Sequence, residues 1–413
     1  MPNHIIIVGA GASGLMAAIA AAKKGAKVTL LEHKDRVGKK ILMTGNGKCN
    51  VTNMNQPEGH YYSNHLDIAY HILKRFTAED TRCFFKQAGL YTKEKKDGCV
   101  YPVSEQAASV LDLLRMECDR LHITVITNFQ VSDIIPEKKG GKVLGFYISG
   151  NENKSSFVYD KLILATGSKA APVTGSDGSG YQFARKLGHK IIEPLPALVQ
   201  LKCHGDYFKM VAGVRSQADL RLYIDQEFMA SEEGELQLTD YGISGIPTFQ
   251  LSRLVSRALQ EKRKCQIHID FLTYLSKEEK RGIWKSYKSY PYKTLEEWLF
   301  GLTHKKIATL ICKMVHCKTD MKLCDLTSEK AKECIQYLTD FTVDISQANS
   351  FENCQVCCGG VPLIEITENL ESKKVNDVYM IGELLDCDGI CGGYNLQWAW
   401  ATGAIAGNHA AQA

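Results

Sequence analysis

Three patterns of hydrophobic and polar positions run through the chain. The first is a short, unbroken apolar run that ends near glycine. Ile5-Ile6-Ile7-Val8 stops at Gly9, Leu162-Ile163-Leu164-Ala165 stops before Gly167, and Val378-Tyr379-Met380-Ile381 stops at Gly382. Runs of this kind read as strands covered on both faces, the habit of a parallel sheet. The second pattern is helical. An Ala-rich segment over 13–24 follows the first run and stops at Gly25, and 26–31 supplies the next strand. Helical spacing recurs at 65–75, 79–87 and 104–121, the last with Ser104 as N-cap, and a short strand is expected at 123–126. The third pattern is strict alternation. Segments 130–135, 143–149 and 155–159 alternate between turn residues such as Lys139-Gly140-Gly141, which predicts a three-stranded meander.

Pro194 and Pro196 mark a boundary. Beyond them 197–238 and 266–271 alternate like strands. Thr239-Asp240-Tyr241-Gly242-Ile243-Ser244-Gly245 reads as a glycine-rich turn before a helix over 248–260. Residues 276–340 are mostly helical, with caps at Ser276 and Ser328 and Lys-rich faces that read as solvated. After Gly359-Gly360-Val361, which precedes an edge strand, the chain returns to α/β style, with a strand over 377–383 and a small-residue helix over 396–411. The expected organisation is a discontinuous α/β domain, 1–194 plus 351–413, with an insert over 195–350. The insert has a β part at about 195–272 and a helical part at about 276–340.

The first strand, helix and second strand carry chemistry. Gly9, Gly11 and Gly14 give a tight turn, close backbone approach to a pyrophosphate and close helix–strand packing. The helix N-terminus offers N–H groups and a positive dipole end to an anion. Glu32 ends the second strand, where a carboxylate accepts hydrogen bonds from an adenosine ribose. A 2′-phosphate would be repelled there, so the resident nucleotide is FAD or NAD. Two more segments point to a ligand. The stretch 36–53 has no clean periodicity and contains Gly45-Asn46-Gly47, which favours left-handed backbone. The stretch 382–396 places acids and glycines between a parallel strand and a helix N-terminus. A site closed by the last strand and helix of the chain suits FAD better than a nicotinamide nucleotide.

Composition narrows the class. The 413 residues are 45% hydrophobic and 23% charged, enough for two or three soluble domains. A net charge of +4 argues against a dedicated nucleic-acid or membrane-surface protein. No apolar run is long enough for a membrane span, and the chain enters its first strand without a signal segment, so a cytoplasmic protein is expected. The fifteen cysteines are spread along the chain and read mostly as buried free thiols. Cys354, Cys357, Cys387 and Cys391 match no common metal spacing, and no metal is expected.

Three long motifs carry a resemblance. They are Gly38-Lys39-Lys40-Ile41-Leu42-Met43-Thr44-Gly45-Asn46-Gly47-Lys48-Cys49-Asn50-Val51-Thr52-Asn53, the 239–245 turn, and 382–386 with Gly392-Gly393-Tyr394-Asn395-Leu396-Gln397. Over essentially its whole length the chain resembles bacterial flavoproteins of the BaiN/RdsA type, NAD(P)/FAD-dependent oxidoreductases. The resemblance implies a glutathione-reductase-like FAD-binding (Rossmann-type) domain carrying an inserted β plus α domain, and bound FAD. Expected against the cofactor are Gly9, Gly11, Ser13, Gly14 and Glu32; Lys40, Thr44, Gly45, Asn46, Gly47 and Asn50; Val131; Thr166 and Gly167; and Gly382, Glu383, Asp386, Gly393, Tyr394, Asn395 and Leu396. Where the family most often has Thr-His, this chain has Thr239-Asp240, so a role for that His does not carry over. Cys357 and Cys358 replace positions that are usually small or hydroxylic, which favours packing.

The resemblance further implies reduction of a C=C bond conjugated to a ketone in a small hydrophobic substrate, steroid or bile-acid-like. No second glycine-rich βαβ unit appears, so NADH or NADPH is expected to dock transiently as electron donor. Tyr394 and Cys49 are the candidate proton donors. Alternatives are a flavin-dependent oxidase or dehydrogenase of small amines or ketones, an RNA-associated flavoprotein prompted by the Lys-rich 276–332, and a thiol sensor using Cys354 and Cys357. Nothing in the sequence sets the oligomeric state.

Overall fold

The computed structural model describes residues 3–95, 97–139, 142–150 and 157–412. Gly140 and Gly141 of the expected turn, and Ser155 and Ser156 of the third meander strand, lie outside the described residues. The chain forms two compact units, Met1–Leu195 with Gln355–Ala413, and Pro196–Cys354.

The first unit is built on a five-stranded parallel sheet. Its order is Val378–Met380, Lys161–Leu164, His4–Val8, Lys27–Leu31, Thr124–Ile126. Ile5, Ile6, Ile7, Leu162, Ile163 and Leu164 are wholly buried, as strands covered on both faces must be. The helix Ala12–Lys23 follows the first strand, and the long helix Tyr394–Gln412 lies against it. Glycine makes that contact possible. A Cβ at Gly403 would stand 2.5 Å from the Ser13 carbonyl oxygen, and one at Gly407 only 2.3 Å from that of Ala17. Phe157–Tyr159, Lys142–Gly150 and Val131–Lys139 form an antiparallel meander. The strand Ile192–Ala197, which contains Pro194 and Pro196, pairs with Val356–Gly360.

The second unit is a closed six-stranded barrel. Its order is Leu201–Cys203, Gly242–Gly245, Glu227–Leu238, Arg215–Ile224, Cys265–Asp270, Phe341–Ala348. Leu220, Leu222, Ile267, Ile269 and Val343 fill it, and one core joins them to the helices Ile246–Gln260, Lys305–Met314 and Ser328–Thr339.

Several local expectations are corrected. The helix expected from Ser104 begins at Ala107, because the Ser104 hydroxyl accepts from the Gln106 N–H in a turn and shares a hydrogen bond with the Ser109 hydroxyl. Thr327, not Ser328, caps the helix Ser328–Thr339. Gly242–Gly245 is a barrel strand and not part of a turn, with the backbones so close that a Cβ at Gly242 would sit 2.2 Å from the Leu201 carbonyl oxygen. Gly359 and Gly360 lie within a strand and do not precede one. The stretch 36–53 holds a five-residue helix, Lys39–Met43, and a one-turn helix, Thr44–Gly47, so it is not devoid of regular structure. The strand Phe341–Ala348 was not anticipated.

Candidate functional site

The four loops that follow the central strands open on one edge of the parallel sheet. Gly9 follows Val8, Glu32 follows Leu31, Thr166 and Gly167 follow Leu164 and Ala165, and Gly382 follows Met380 and Ile381. Ligands of open parallel sheets bind outside these carboxyl ends.

The glycine turn is tight. Gly9 has φ +102°, its N–H donates to the Leu31 carbonyl at 2.8 Å, and a Cβ there would meet the Ala165 oxygen at 2.4 Å. Gly14 presses on Gly9 at 1.9 Å by the same measure, which makes it the packing glycine. Gly11 differs, with nothing within 4 Å of an added Cβ. It opens the helix Ala12–Lys23 with no side chain capping the end, so the first N–H groups are available to an anion. Ser13 is buried beside Gly382, where a Cβ would come 2.5 Å from its hydroxyl. Glu32 is fixed by its neighbours. Its carboxylate accepts from Ala10 N–H at 3.0 Å and Lys34 N–H at 2.9 Å, and its carbonyl accepts from Phe129 N–H at 2.9 Å. Two residues beyond Phe129, Val131 is buried at the start of its strand.

At the other end of the sheet edge, Lys40 Nζ donates to Glu383 Oε2 at 2.6 Å, and Ser168 Oγ donates to the same oxygen at 2.9 Å. The Lys40–Glu383 pair joins residues 343 positions apart. Around it three polar groups are sealed from water and have no hydrogen-bond partner among the described residues: Thr166 Oγ1, Tyr181 OH and Asp386 Oδ1. A Cβ at Gly180 would lie 1.8 Å from Thr166 Oγ1, and Tyr181 is close enough to Glu383 and Asp386 to feel their charge. Burial first, then these neighbours, raises the Tyr181 phenol well above its ordinary value. Buried polar groups in folded proteins almost always find a partner, so three orphans side by side mark a place for a polar ligand. Sequence reasoning missed Ser168 and Tyr181. The signal available was their position, directly after Thr166-Gly167 and at the start of the helix Ser179–Lys186.

The loop 44–53 meets the C-terminal segment. Gly45 and Asn46 adopt left-handed backbone, with φ 55° and 52°, and Gly47 also has positive φ. All three are exposed, while the Thr44 hydroxyl is tied to the Ile41 carbonyl. Asn50 accepts from Val100 N–H at 3.1 Å, and a Cβ at Gly393 would stand 2.7 Å from the Thr52 carbonyl oxygen. Asn395 exchanges two 2.8 Å hydrogen bonds with Gly389, and Leu396 is partly buried.

The two candidate proton donors sit in closed surroundings. Tyr394 donates its hydroxyl proton to the Asn55 carbonyl at 2.8 Å and meets His60 Nδ1 at 2.8 Å. Burial pushes its phenol up to about 12. Cys49 is wholly buried with φ 55°, and burial pushes its thiol up to about 11. A thiol this enclosed is a poor nucleophile, and its surroundings suit packing. Cys354, Cys357, Cys358 and Cys387 are buried, and among the described residues no group of three His, Cys, Asp or Glu is arranged to hold a metal. No helix of the described residues is long and apolar enough to cross a membrane.

Comparison with known proteins fits this geometry. The family described as "HI0933-like protein Rossmann domain" matches residues 3–409. A 3-dehydro-bile acid delta(4,6)-reductase of Clostridium scindens is 41% identical over 414 residues, covering 99% of each chain. A ribosomal RNA dihydrouridine synthase of Haemophilus influenzae is 28% identical over 400 residues, covering 96% of each. Among solved structures, the 3-ketosteroid delta1-dehydrogenase of Sterolibacterium denitrificans superposes with TM-score 0.51 at 12% identity, covering 99% of both chains. That likeness shows the fold: an α/β, discontinuous, glutathione-reductase-like FAD-binding architecture with an inserted β plus α domain. From its first strand to its last helix, this chain belongs to the HI0933-like Rossmann family.

Proposed function

We propose that this protein is an FAD-dependent oxidoreductase that reduces a C=C bond conjugated to a ketone in a hydrophobic, steroid- or bile-acid-like substrate, with NADH or NADPH as transient donor. The observation that carries the reading is the row of groups along one sheet edge, from the open helix N-terminus at Gly11 to the orphaned Thr166, Tyr181 and Asp386. These residues fit FAD: an anion-ready turn at one end, a ribose-binding carboxylate at Glu32, and unpartnered polar groups at the other end. Gly9, Gly11, Ser13 and Gly14 would hold the pyrophosphate, and Glu32 and Val131 the adenosine half. Lys40, Thr44, Gly45, Asn46, Gly47, Asn50, Thr166, Gly167, Gly382, Glu383, Asp386, Gly393, Tyr394, Asn395 and Leu396 would enclose the remainder.

When bound, FAD supplies the two-electron chemistry. The chain holds the Lys40–Glu383–Ser168 cluster in place, shields the buried polar groups from water, and keeps Tyr394 braced between Asn55 and His60. In that brace Tyr394 ties the segment 55–61 to the start of the C-terminal helix, and its proton faces a carbonyl. The substrate class follows the Clostridium scindens relative, which is 41% identical against 28% for the Haemophilus influenzae one.

A second reading is an RNA-modifying flavoprotein, favoured by the Haemophilus influenzae relative. The C5=C6 bond of a uracil is itself conjugated to a carbonyl, so one flavin chemistry serves both. The test is anaerobic reduction of the purified yellow protein by NADH and by NADPH, then reoxidation by 3-oxo-Δ4 steroids or by unmodified ribosomal RNA. Steroid-driven reoxidation supports the first reading and RNA-driven reoxidation the second. No bleaching with either nucleotide removes the nucleotide from both.

A further inference from the structure

The start of the helix Tyr394–Gln412 lies at the carboxyl edge of the sheet, where Trp398 Nε1 donates to the Gly382 carbonyl at 3.0 Å. The segment 60–62 runs beside the chain that leads into this helix. Tyr62 and Tyr61 pair with Asp388 and Gly389, and Ile390 N–H donates to the His60 carbonyl at 3.0 Å. The rings of His60 and Tyr394 meet edge-on, with centroids 4.9 Å apart. His60 therefore stands against the segment 382–396, within the unit that carries the proposed cofactor site, and it is partly exposed.

The Tyr394 hydroxyl has one proton and two neighbours, the Asn55 carbonyl and His60 Nδ1, each at 2.8 Å. The carbonyl can only accept. A proton turned towards Nδ1 would leave that carbonyl without a partner among the described residues. With Nδ1–H donating to the hydroxyl oxygen, all three groups are satisfied. Neutral His60 is then the Nδ1–H tautomer, with its lone pair at Nε2. Among the described residues Nε2 has no hydrogen-bond partner, and it is not one of the polar atoms sealed from solvent. The titratable groups around the ring are the phenols of Tyr394, Tyr61 and Tyr70, with Asp97 and Cys99 beyond Tyr394 and Glu58 on the same segment. Burial lowers the His60 pKa below its ordinary value, whereas the Tyr394 phenol is pushed up to about 12. At neutral pH the imidazole is the member of this pair that exchanges a proton readily.

We propose that His60 delivers, from Nε2, the proton that completes reduction of the conjugated C=C bond, with Tyr394 and Asn55 as the residues that position its ring. The proposal rests on the function proposed above and adds to it the residue that closes the proton balance. A hydride equivalent derived from the nicotinamide nucleotide bonds to the carbon distal to the carbonyl. The π electrons of the C=C bond then take the Nε2 proton of protonated His60 at the carbon next to the carbonyl. The ring is left neutral, in the Nδ1–H form that Tyr394 already holds, and solvent returns the proton to Nε2.

The experiment compares wild type, His60→Asn and His60→Ala, each as FAD-loaded enzyme with matched flavin content and melting temperature. The Asn amide keeps a donor near the Nδ1 position and removes the acid. Stopped flow reads two steps, bleaching by NADH or NADPH and anaerobic reoxidation of the dithionite-reduced enzyme by a 3-oxo-Δ4 steroid. Wild-type reoxidation slows as pH rises through the His60 pKa, because the protonated ring is the donor. Both variants lose that pH dependence and reoxidise roughly 100-fold more slowly, while bleaching slows far less. Added imidazole restores reoxidation in His60→Ala. A wild-type rate or pH profile in well-folded His60→Asn overturns the proposal, as does equal slowing of both steps, which would leave His60 a structural role only. If no steroid reoxidises wild type, the steroid reading has failed, and unmodified ribosomal RNA takes the steroid's place in the same comparison. If neither substrate reoxidises it, nitrogen NMR of the His-labelled FAD-loaded protein decides the ring separately. A neutral ring protonated at Nδ1 supports the proposal, and one protonated at Nε2 overturns it.

Discussion

Single alanine substitutions at Gly11 and Gly14 should separate binding from folding within one turn. At Gly14 the new Cβ would sit 1.9 Å from the Gly9 carbonyl oxygen. Contact needs well over 3 Å, so the helix Ala12–Lys23 must move by more than 1 Å or the turn must open. Overpacking of this kind costs about 1–3 kcal/mol. At Gly11 the backbone has φ −80° and ψ −166°, which alanine adopts freely, and nothing lies within 4 Å. The loss of a favourable N-cap glycine and the gain from a stiffer unfolded chain nearly cancel, leaving apoprotein stability within about 1 kcal/mol of wild type. Yet that Cβ would stand where a pyrophosphate approaches the backbone. Losing one or two charge-assisted hydrogen bonds, at about 1.5–3 kcal/mol each, weakens FAD binding at least about tenfold. The assay is thermal melting of the FAD-free protein together with fluorescence titration of FAD. Gly14→Ala should melt lower, and Gly11→Ala should melt like wild type but bind FAD weakly. Wild-type affinity in Gly11→Ala, or equal melting losses in the two apoproteins, would refute the division of labour between these glycines.

Cys49→Ala should lose about 1 kcal/mol of stability from the vacated sulfur volume yet keep turnover. Iodoacetamide should label exposed Cys83 and Cys324 in the native protein and reach Cys49 only on unfolding. Native labelling of Cys49 with loss of activity would count against this. His189 is buried between Glu365, 2.9 Å from Nδ1, and Ser372, 2.7 Å from Nε2. Burial, the largest influence, holds its pKa below the ordinary value despite Glu365. The stability it contributes is therefore full above about pH 6.5 and is lost as pH falls through the lower folded value. His189→Gln should melt lower than wild type at pH 7 but lose less between pH 7 and 5, and parallel slopes would exclude His189 as the sensor. Gly407→Ala, with its Cβ 2.3 Å from the Ala17 carbonyl oxygen, should destabilise the protein by about 1–3 kcal/mol. An unchanged melting temperature would show that the two helices part without cost.

The parallel sheet was legible because its strands are short apolar runs ending at glycine, a pattern set by burial on both faces. The glycine turn and Glu32 were legible for the same local reason. Phe341–Ala348 alternates cleanly, with Phe341, Val343 and Ile345 inward, but a helical reading carried to residue 340 left no reason to look past it. Lys39–Met43 is too short to show periodicity at all. The Lys40–Glu383 pair and the orphaned hydroxyls of Thr166 and Tyr181 depend on segments far apart in sequence.

The central sheet places Lys161–Leu164 next to His4–Val8 on one side and next to Val378–Met380 on the other. During synthesis the first strands leave the ribosome early, whereas Val378–Met380 and the helix Tyr394–Gln412 follow the entire insert. The barrel, drawn wholly from 196–354, can close while its host still lacks an edge. Domains fold as units once their strands are present, and pairing across long loops is slow. The groups from Gly382 to Leu396 that ring the sheet edge thus arrive last. The proposed cofactor site is therefore completed only after this strand and helix emerge, and a chain that stalls before them carries a folded insert on a host sheet that still lacks its edge.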